Sequence, residues 1–230
     1  MSRDADNLTP RVFFFRHGET EWAKLGRQTG VTDVPLTEHG IEQVTPTATH
    51  LVGTGKLVDP ERVVRVFVSP RERAQQTLQC LFPEEDLPIY PGFLRITDGI
   101  AEWDYGDYEG LTAAETKALR KEWGLDAEQE WSVWRDGCEG GESMQQVTRR
   151  LDRLISEIQD IQWAGMEAER PADIVLLSHG LILRAFVKRW LSFPVDMQLS
   201  IMLAPGAMGI LTYKNNNIDE PAIHVGLTFP

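Results

Sequence analysis

The chain has 230 residues, 42% apolar and 25% charged, the composition of a globular domain and not of a disordered or collagen-like chain. A net charge of −12 disfavours nucleic acid and anionic lipid as partners. Two cysteines, Cys80 and Cys138, are too few for a disulfide framework; the first ten residues hold no apolar signal core, and no apolar run nears the roughly 18 residues of a membrane span.

A cytoplasmic protein with no membrane partner is therefore expected, with self-association left open. No repeat, low-complexity tract or Gly/Ser linker marks a boundary, so residues 1–230 are expected to form one domain. Val12-Phe13-Phe14-Phe15 is too short and too rich in β-branched and aromatic residues for a helix, and reads as a buried strand. From Leu36 to Gly53 the apolar residues Ile41, Val44, Ala48 and Leu51 follow helical spacing, with Pro46 expected to kink the segment. Val63 to Val68 reads as a second buried strand, and Ala74, Leu78 and Leu81 line a second helix.

Between Pro83 and Gly141 the pattern weakens. This stretch holds four of the seven tryptophans, Trp103, Trp123, Trp131 and Trp134, and is expected to be a helical and looped insertion over the sheet edge. Ser143 then caps a long helix with Met144, Val147, Leu151, Leu154, Ile158 and Ile161 on one face. Ile174-Val175-Leu176-Leu177 is the third buried strand, followed by a helix from Leu183 to Leu191. The tail reads as a hairpin, Ile210 to Tyr213 and Ile223 to Thr228, turning at Asn215-Asn216-Asn217. Strands alternating with helices predict an α/β three-layer sandwich, a mostly parallel sheet with helices on both faces.

Sheets of this kind bind ligands at the carboxyl ends of their strands. The three strands deliver Arg16-His17-Gly18-Glu19-Thr20, Ser69-Pro70-Arg71-Glu72-Arg73 and Ser178-His179-Gly180 to one edge. One histidine at a strand end is unremarkable; two His-Gly pairs with convergent arginines specify a chemistry. The glycines are expected to let a ligand approach the backbone, with a free N–H for an oxyanion. Arginine matches phosphate with a permanently charged planar fork, and a neutral imidazole is a nucleophile near neutral pH. Together they suit phosphoryl transfer through a phosphohistidine. A zinc site is the competing reading, but no His-Glu-x-x-His or Cys-x-x-Cys is present and clustered arginines repel a cation. An acid is needed for the leaving alkoxide. Glu102 is the candidate, although Asp104, Asp107 and Glu109 lie in the same stretch and periodicity does not choose among them.

Arg16-His17-Gly18-Glu19-Thr20, Thr29-Gly30, Leu36-Thr37-x-x-Gly40, Ser69-x-x-x-Arg73-Ala74-x-x-Thr77, Glu102 and Ser178-His179-Gly180 occur in one order along most of the chain. In that order they resemble the histidine phosphatase superfamily, with its phosphoglycerate mutase-like fold. Gly30-x-Thr32-Asp33-x-Pro35-Leu36-Thr37, Tyr105 to Gly110, Trp134 to Glu139 and Asn217 to Ala222 are most similar to its fungal sedoheptulose-1,7-bisphosphatase branch. The resemblance implies His17 as nucleophile, Arg16, Arg73 and His179 on the phosphoryl oxygens, and Glu102 as proton donor and then base. It also implies that Thr29, Gly30, Tyr105 and the Gly180 N–H line the substrate pocket, without metal or cofactor, around a small phosphorylated metabolite.

Two departures from that branch lie near the expected substrate mouth: Ile100-Ala101 before Glu102, where Leu-Arg is usual, and a short segment from Phe193 to Pro205. Gln28 stands beside Thr29-Gly30 as a further substrate contact. Arg149-Arg150 is expected to form a solvated basic face, Glu142 a helix-start acid, Arg135 part of a structural turn, and His39, His50 and His224 surface or core residues without a role. Phosphoglycerate mutases carry Asn at the positions of Ala23 and Leu181, which favours hydrolysis over mutase chemistry. A silent binding module on this fold has no use for the acid Glu102.

Overall fold

The computed structural model describes residues 8–82 and 92–226. β1 (Val12–Arg16), β2 (Val63–Val68) and β4 (Asp173–Ser178) form where the β-branched and aromatic runs occur. With β3 (Leu94–Ile96) and two later strands they lie in a six-stranded sheet of order β3-β2-β4-β1-β5-β6. β3 through β1 run parallel; β5 (Met208–Tyr213) and β6 (Pro221–His224) add an antiparallel hairpin at one edge.

Alternation along the strands builds two cores, because successive side chains leave opposite faces of a sheet. Val12, Phe14, Ile174 and Leu176 join one apolar cluster; Phe13, Phe15, Val175 and Leu177 join the other. The first is covered by α6 (Met144–Glu167) and α7 (Gly180–Trp190) through Val147, Leu151, Leu154, Ile158, Ile182 and Phe186. The second is covered by α2 (Glu38–Leu51) and α3 (Glu72–Leu81) through Val44, Ala74, Leu78 and Leu81. Each fully buried Val, Leu, Ile or Phe among them contributes about 1.5–3 kcal/mol of transfer free energy. The result is the expected three-layer sandwich. No helix among the described residues is long and apolar enough to cross a membrane.

The helix starts follow local chemistry. At α6, Ser143 Oγ accepts from the Gln146 N–H while the Gln146 side chain accepts from the Ser143 N–H, a reciprocal cap. α7 begins three residues earlier than its apolar spacing predicts, with His179 at the cap position. α2 is one unbroken helix across Pro46, and Ile41 lies exposed on it, so its buried face is narrower than expected and centred on Val44.

The segment read as a helical and looped insertion also contains a strand. β3 (Leu94–Ile96) pairs in parallel with β2 and extends the sheet. Three exposed residues carry too little pattern to be read as a strand in sequence. The same segment holds α4 (Ala113–Glu122) and α5 (Val133–Asp136), with Trp103 fully buried and its ring edge-on to Trp134 at 6.1 Å. The parts of the expected insertion and tail at residues 83–91 and beyond 226 lie outside the described residues.

Candidate active site

β1 ends at Arg16 and hands His17 to the mouth of a cavity of about 260 Å³ at the carboxyl edge of the sheet. The His17 backbone is fixed by an N–H to the Ser178 carbonyl (2.9 Å) and by the Gly206 N–H on its own carbonyl (3.1 Å). Its Nδ1 lies 2.6 Å from the Gly18 carbonyl. A carbonyl only accepts, so the ring proton sits on Nδ1 and the Nε2 lone pair is free. Burial, with Arg73 and Arg16 nearby, pulls the His17 pKa down to about 3 against the raising effect of the Gly18 carbonyl. The imidazole is therefore a neutral nucleophile across the working pH range.

Arg16 sends Nη1 to the Leu203 carbonyl at 2.7 Å, while its Nε is buried and has no partner. Burial and Arg184 both lower its pKa, with Glu102 opposing. An orphaned donor in a cavity wall is costly unless something binds it, and an oxyanion is the matching group. The head of α7 supplies a second donor. Of its leading amides, Leu181 and Ile182 donate to Glu102 (3.2 and 2.9 Å) and Leu183 donates to the His179 carbonyl (3.1 Å). Gly180, which has no partner within the helix, lines the cavity.

Glu102 is 7% exposed and lines the same cavity, the one carboxylate of its stretch to do so. Burial raises its pKa, opposed by the N–H donors of Trp103, Leu181 and Ile182 and by Arg73. A carboxyl group held neutral closer to working pH is suited to donate a proton. Asp104 and Glu109 are committed elsewhere. Asp104 accepts from the Gly106 N–H (2.9 Å), and Glu109 accepts from the Gly30 and Thr32 amides (2.9 Å each).

Arg73 and His179 stand behind this wall. His179 is fully buried, with its ring 5.0 Å from that of His17. Its Nδ1 accepts from Arg73 Nε (3.0 Å), so the proton is on Nε2, 2.6 Å from Ser69 Oγ. Burial, Arg73 and His17 hold its pKa well below the usual histidine value. Arg73 also donates to the carbonyls of Thr32 (2.9 Å), Thr29 (2.9 Å) and Gly30 (3.2 Å). The resemblance puts both residues on the phosphoryl oxygens; in this structure Arg73 donates to His179 and to the loop carbonyls, and the Nε2–H of His179 is turned to Ser69 Oγ. Arg73 acts on His17 through its charge.

The expected substrate contacts divide. Gln28, Thr29 and Tyr105 line the cavity, and Gln28 Oε1 is buried without a donor. Gly30 does not line it: its N–H is on Glu109, its carbonyl on Arg73, and a Cβ there would stand 2.4 Å from the Trp103 carbonyl. The glycines after the histidines also serve ends other than ligand approach. A Cβ at Gly18 would lie 2.2 Å from the Gly40 carbonyl at the head of α2, and one at Gly180 would lie 3.1 Å from Arg16 Nε.

Sequence reasoning missed Arg184 and Arg27, which line the cavity and donate to the Ile201 carbonyl (3.0 Å) and the Gly110 carbonyl (2.5 Å). Arg184 was within reach, one helical turn beyond Gly180, once α7 is started at its true head. Arg135 pairs with Asp136 (2.6 Å) outside the cavity. Arg149 is exposed, as expected of a solvated basic face, but Arg150 is half-buried and ion-paired with Glu142 (2.7 Å), which corrects that expectation for Arg150 and gives Glu142 a partner. His39, His50 and His224 are exposed. Among the described residues, no three His, Cys, Asp or Glu side chains are placed to hold a metal ion.

Comparison with known proteins agrees with this geometry. The family model of the histidine phosphatase superfamily (branch 1) matches residues 12–222. The sedoheptulose 1,7-bisphosphatase of Saccharomyces cerevisiae is 35% identical over 97% of this chain and 94% of the yeast protein. An acid phosphatase of Mycobacterium tuberculosis is 34% identical over 89% of this chain and 87% of its own length. The solved structure of an open reading frame product of Mycobacterium tuberculosis superposes with a TM-score of 0.72 at 29% identity, covering 94% of this chain and 96% of the other.

Proposed function

Because the chain belongs to the histidine phosphatase superfamily and is a phosphatase within it, we propose that it hydrolyses a sugar bisphosphate such as sedoheptulose-1,7-bisphosphate, in the cytosol, through a phosphohistidine on His17 and without a metal. The observation that carries this reading is the free Nε2 of His17 in one cavity with the orphaned Arg16 Nε, the Gly180 N–H and the Glu102 carboxyl group.

In the first step Nε2 attacks phosphorus and the bond from phosphorus to the sugar oxygen breaks. Glu102 gives its proton to the departing alkoxide, while Arg16 and the Gly180 N–H hold the equatorial oxygens. In the second, the Glu102 carboxylate takes a proton from water, the water oxygen attacks phosphorus and the bond to Nε2 breaks. Phosphate leaves, and His17 and Glu102 return to their starting forms. Arg73 reaches the phosphoryl oxygens if the anion displaces the carbonyls of Thr29, Gly30 and Thr32, and His179 if its Nε2–H turns from Ser69 Oγ to the anion.

Preference for a second phosphate is supported by Arg184 and Arg27 in the cavity beyond the reacting centre. Gln28 Oε1, buried and short of a donor, suits a sugar hydroxyl. Ala23 and Leu181 also line the cavity. Neither offers a polar grip on a retained intermediate, which favours hydrolysis over mutase chemistry. The test is phosphate release from a panel of sugar phosphates and bisphosphates in the presence of EDTA. Bisphosphates are expected to be preferred, and Arg184→Ala to lower kcat/KM about 10- to 100-fold for them while sparing monophosphates, in line with a lost charge-assisted contact. Equal effects on both classes, or activity abolished by EDTA and restored by a divalent metal, would contradict it.

A further inference from the structure

We infer that Arg150 is a positioning residue for proton transfer, gripping the loop that carries Glu102 so that its carboxyl group faces the leaving oxygen. The inference rests on Glu102 acting as the acid.

Glu102 sits in a stretch without regular structure: a short 3₁₀ turn over Asp98–Ile100 and then extended backbone. Such a segment leaves its carbonyls unpaired by any ladder, and they turn toward Arg150. Nη1 lies 2.9 Å from the Ala101 carbonyl, 3.2 Å from that of Gly99 and 3.3 Å from that of Asp98; Nη2 lies 3.4 Å from that of Glu102. The guanidinium plane is fixed from the other side by Glu142, whose oxygens accept from Nε (2.7 Å) and Nη2 (2.9 Å).

Glu142 then holds the far end of the same loop. Its Oε2 accepts from the Asp104 N–H (3.0 Å) and its backbone carbonyl accepts from Trp103 Nε1 (2.9 Å). The loop is thus fastened on both sides of Glu102. Neither Arg150 nor Glu142 lines the cavity, so neither touches substrate; Arg150 bears on the site through its grip on the Glu102 loop and, from farther off, through its charge on His179, which Arg150→Lys keeps. Lysine has no planar fork to satisfy a carboxylate and several carbonyls at once. A shift of about 1 Å in a reacting group costs on the order of 10²-fold in rate.

A merely structural pin lowers activity on every substrate alike; a pin on the acid lowers it where a proton must be given. The experiment measures kcat and KM of wild type, Glu102→Gln, Arg150→Gln and the double variant on sedoheptulose-1,7-bisphosphate and on para-nitrophenyl phosphate, whose leaving group departs without a proton. Arg150→Gln is expected to lose about 10- to 100-fold in kcat/KM on the sugar and less than about 3-fold on the aryl ester, because kcat/KM reports the phosphorylation step alone, before Glu102 acts as base on a step common to both substrates. The double variant is expected to be no slower than Glu102→Gln alone, because both changes remove one function. Equal losses on the two substrates, or losses that multiply in the double variant, overturn the role of Arg150 while leaving Glu102 as the acid. If Glu102→Gln itself shows no preference for the sugar, the acid assignment fails and the inference falls with it. Should Arg150→Gln not fold, Arg150→Lys keeps the stem and charge and carries the same comparison, with a smaller loss of the same selectivity.

Discussion

At the scale of the residue, the site works by denying protons to two histidines. His17 and His179 are both buried beside Arg73, which disfavours their charged forms. In the unfolded chain they titrate near the ordinary value of about 6.5. Between that pH and the folded value of about 3 for His17 the unfolded state binds more protons, so stability falls as pH falls through this window and is fully present above it. Replacing His17 with Asn removes one such group. Urea melts at neutral pH and near pH 4.5 are expected to show a smaller acid-induced loss of stability in the variant than in wild type. An equal or larger loss would place the charge-sensitive group elsewhere. Glu102 shifts the opposite way, since burial disfavours the carboxylate and raises its pKa.

His17, Arg16 and Gly180 were legible as types at strand ends, where sheet geometry gathers them; Glu102 was one of four carboxylates in its stretch and was set apart only by the family resemblance. The partners of Arg73 were not legible, because the carbonyls of residues 29–32 carry no side-chain signature. Arg150 was misread for a related reason. It precedes the core residue Leu151 on α6, at the flank of the buried stripe, where a long side chain lays its stem on the core and carries its charge to distant backbone.

At the scale of the element, α7 decides the geometry. Its first turn exposes amides that a cap would normally cover, yet His179 at the cap position makes no side-chain bond to them. Glu102 fills that role from another segment, and this joins the proton donor to the anion site. The apolar spacing of α7 was readable from Leu183 onward, but its head was not, because the cap is supplied from 79 and 80 residues away in sequence. β1 and β4, by contrast, were legible as continuous apolar runs because both their faces are buried, and β3 was illegible because its three residues are exposed.

Gly180→Ala tests the arrangement at α7. The added Cβ would crowd Arg16 Nε at 3.1 Å, and Arg16 has little room to yield with Nη1 fixed on Leu203. The expected result is a drop in kcat/KM of about 10- to 100-fold with the melting temperature little changed, since alanine favours a helix. Unchanged kinetics would show that Arg16 does not meet the substrate where the orphaned Nε points.

At the scale of the molecule, a chain with a net charge of −12 concentrates Arg16, Arg27 and Arg184 in one cavity. That local reversal of sign supports the bisphosphate substrate proposed above, and it sits where the carboxyl ends of β1, β2 and β4 meet, as the order of strands requires. The two cores on either side of the sheet bear on the chemistry only by holding those strand ends in register. The central claim is that phosphorus is bonded to His17 during turnover. Rapid acid-free quenching with a phosphate-labelled sugar bisphosphate tests it most directly. The account predicts a protein-bound label that survives base, is lost in acid and is absent from His17→Ala, which itself shows no turnover. A wild-type enzyme that turns over without ever carrying such a label, or a His17→Ala variant that turns over normally, would contradict it.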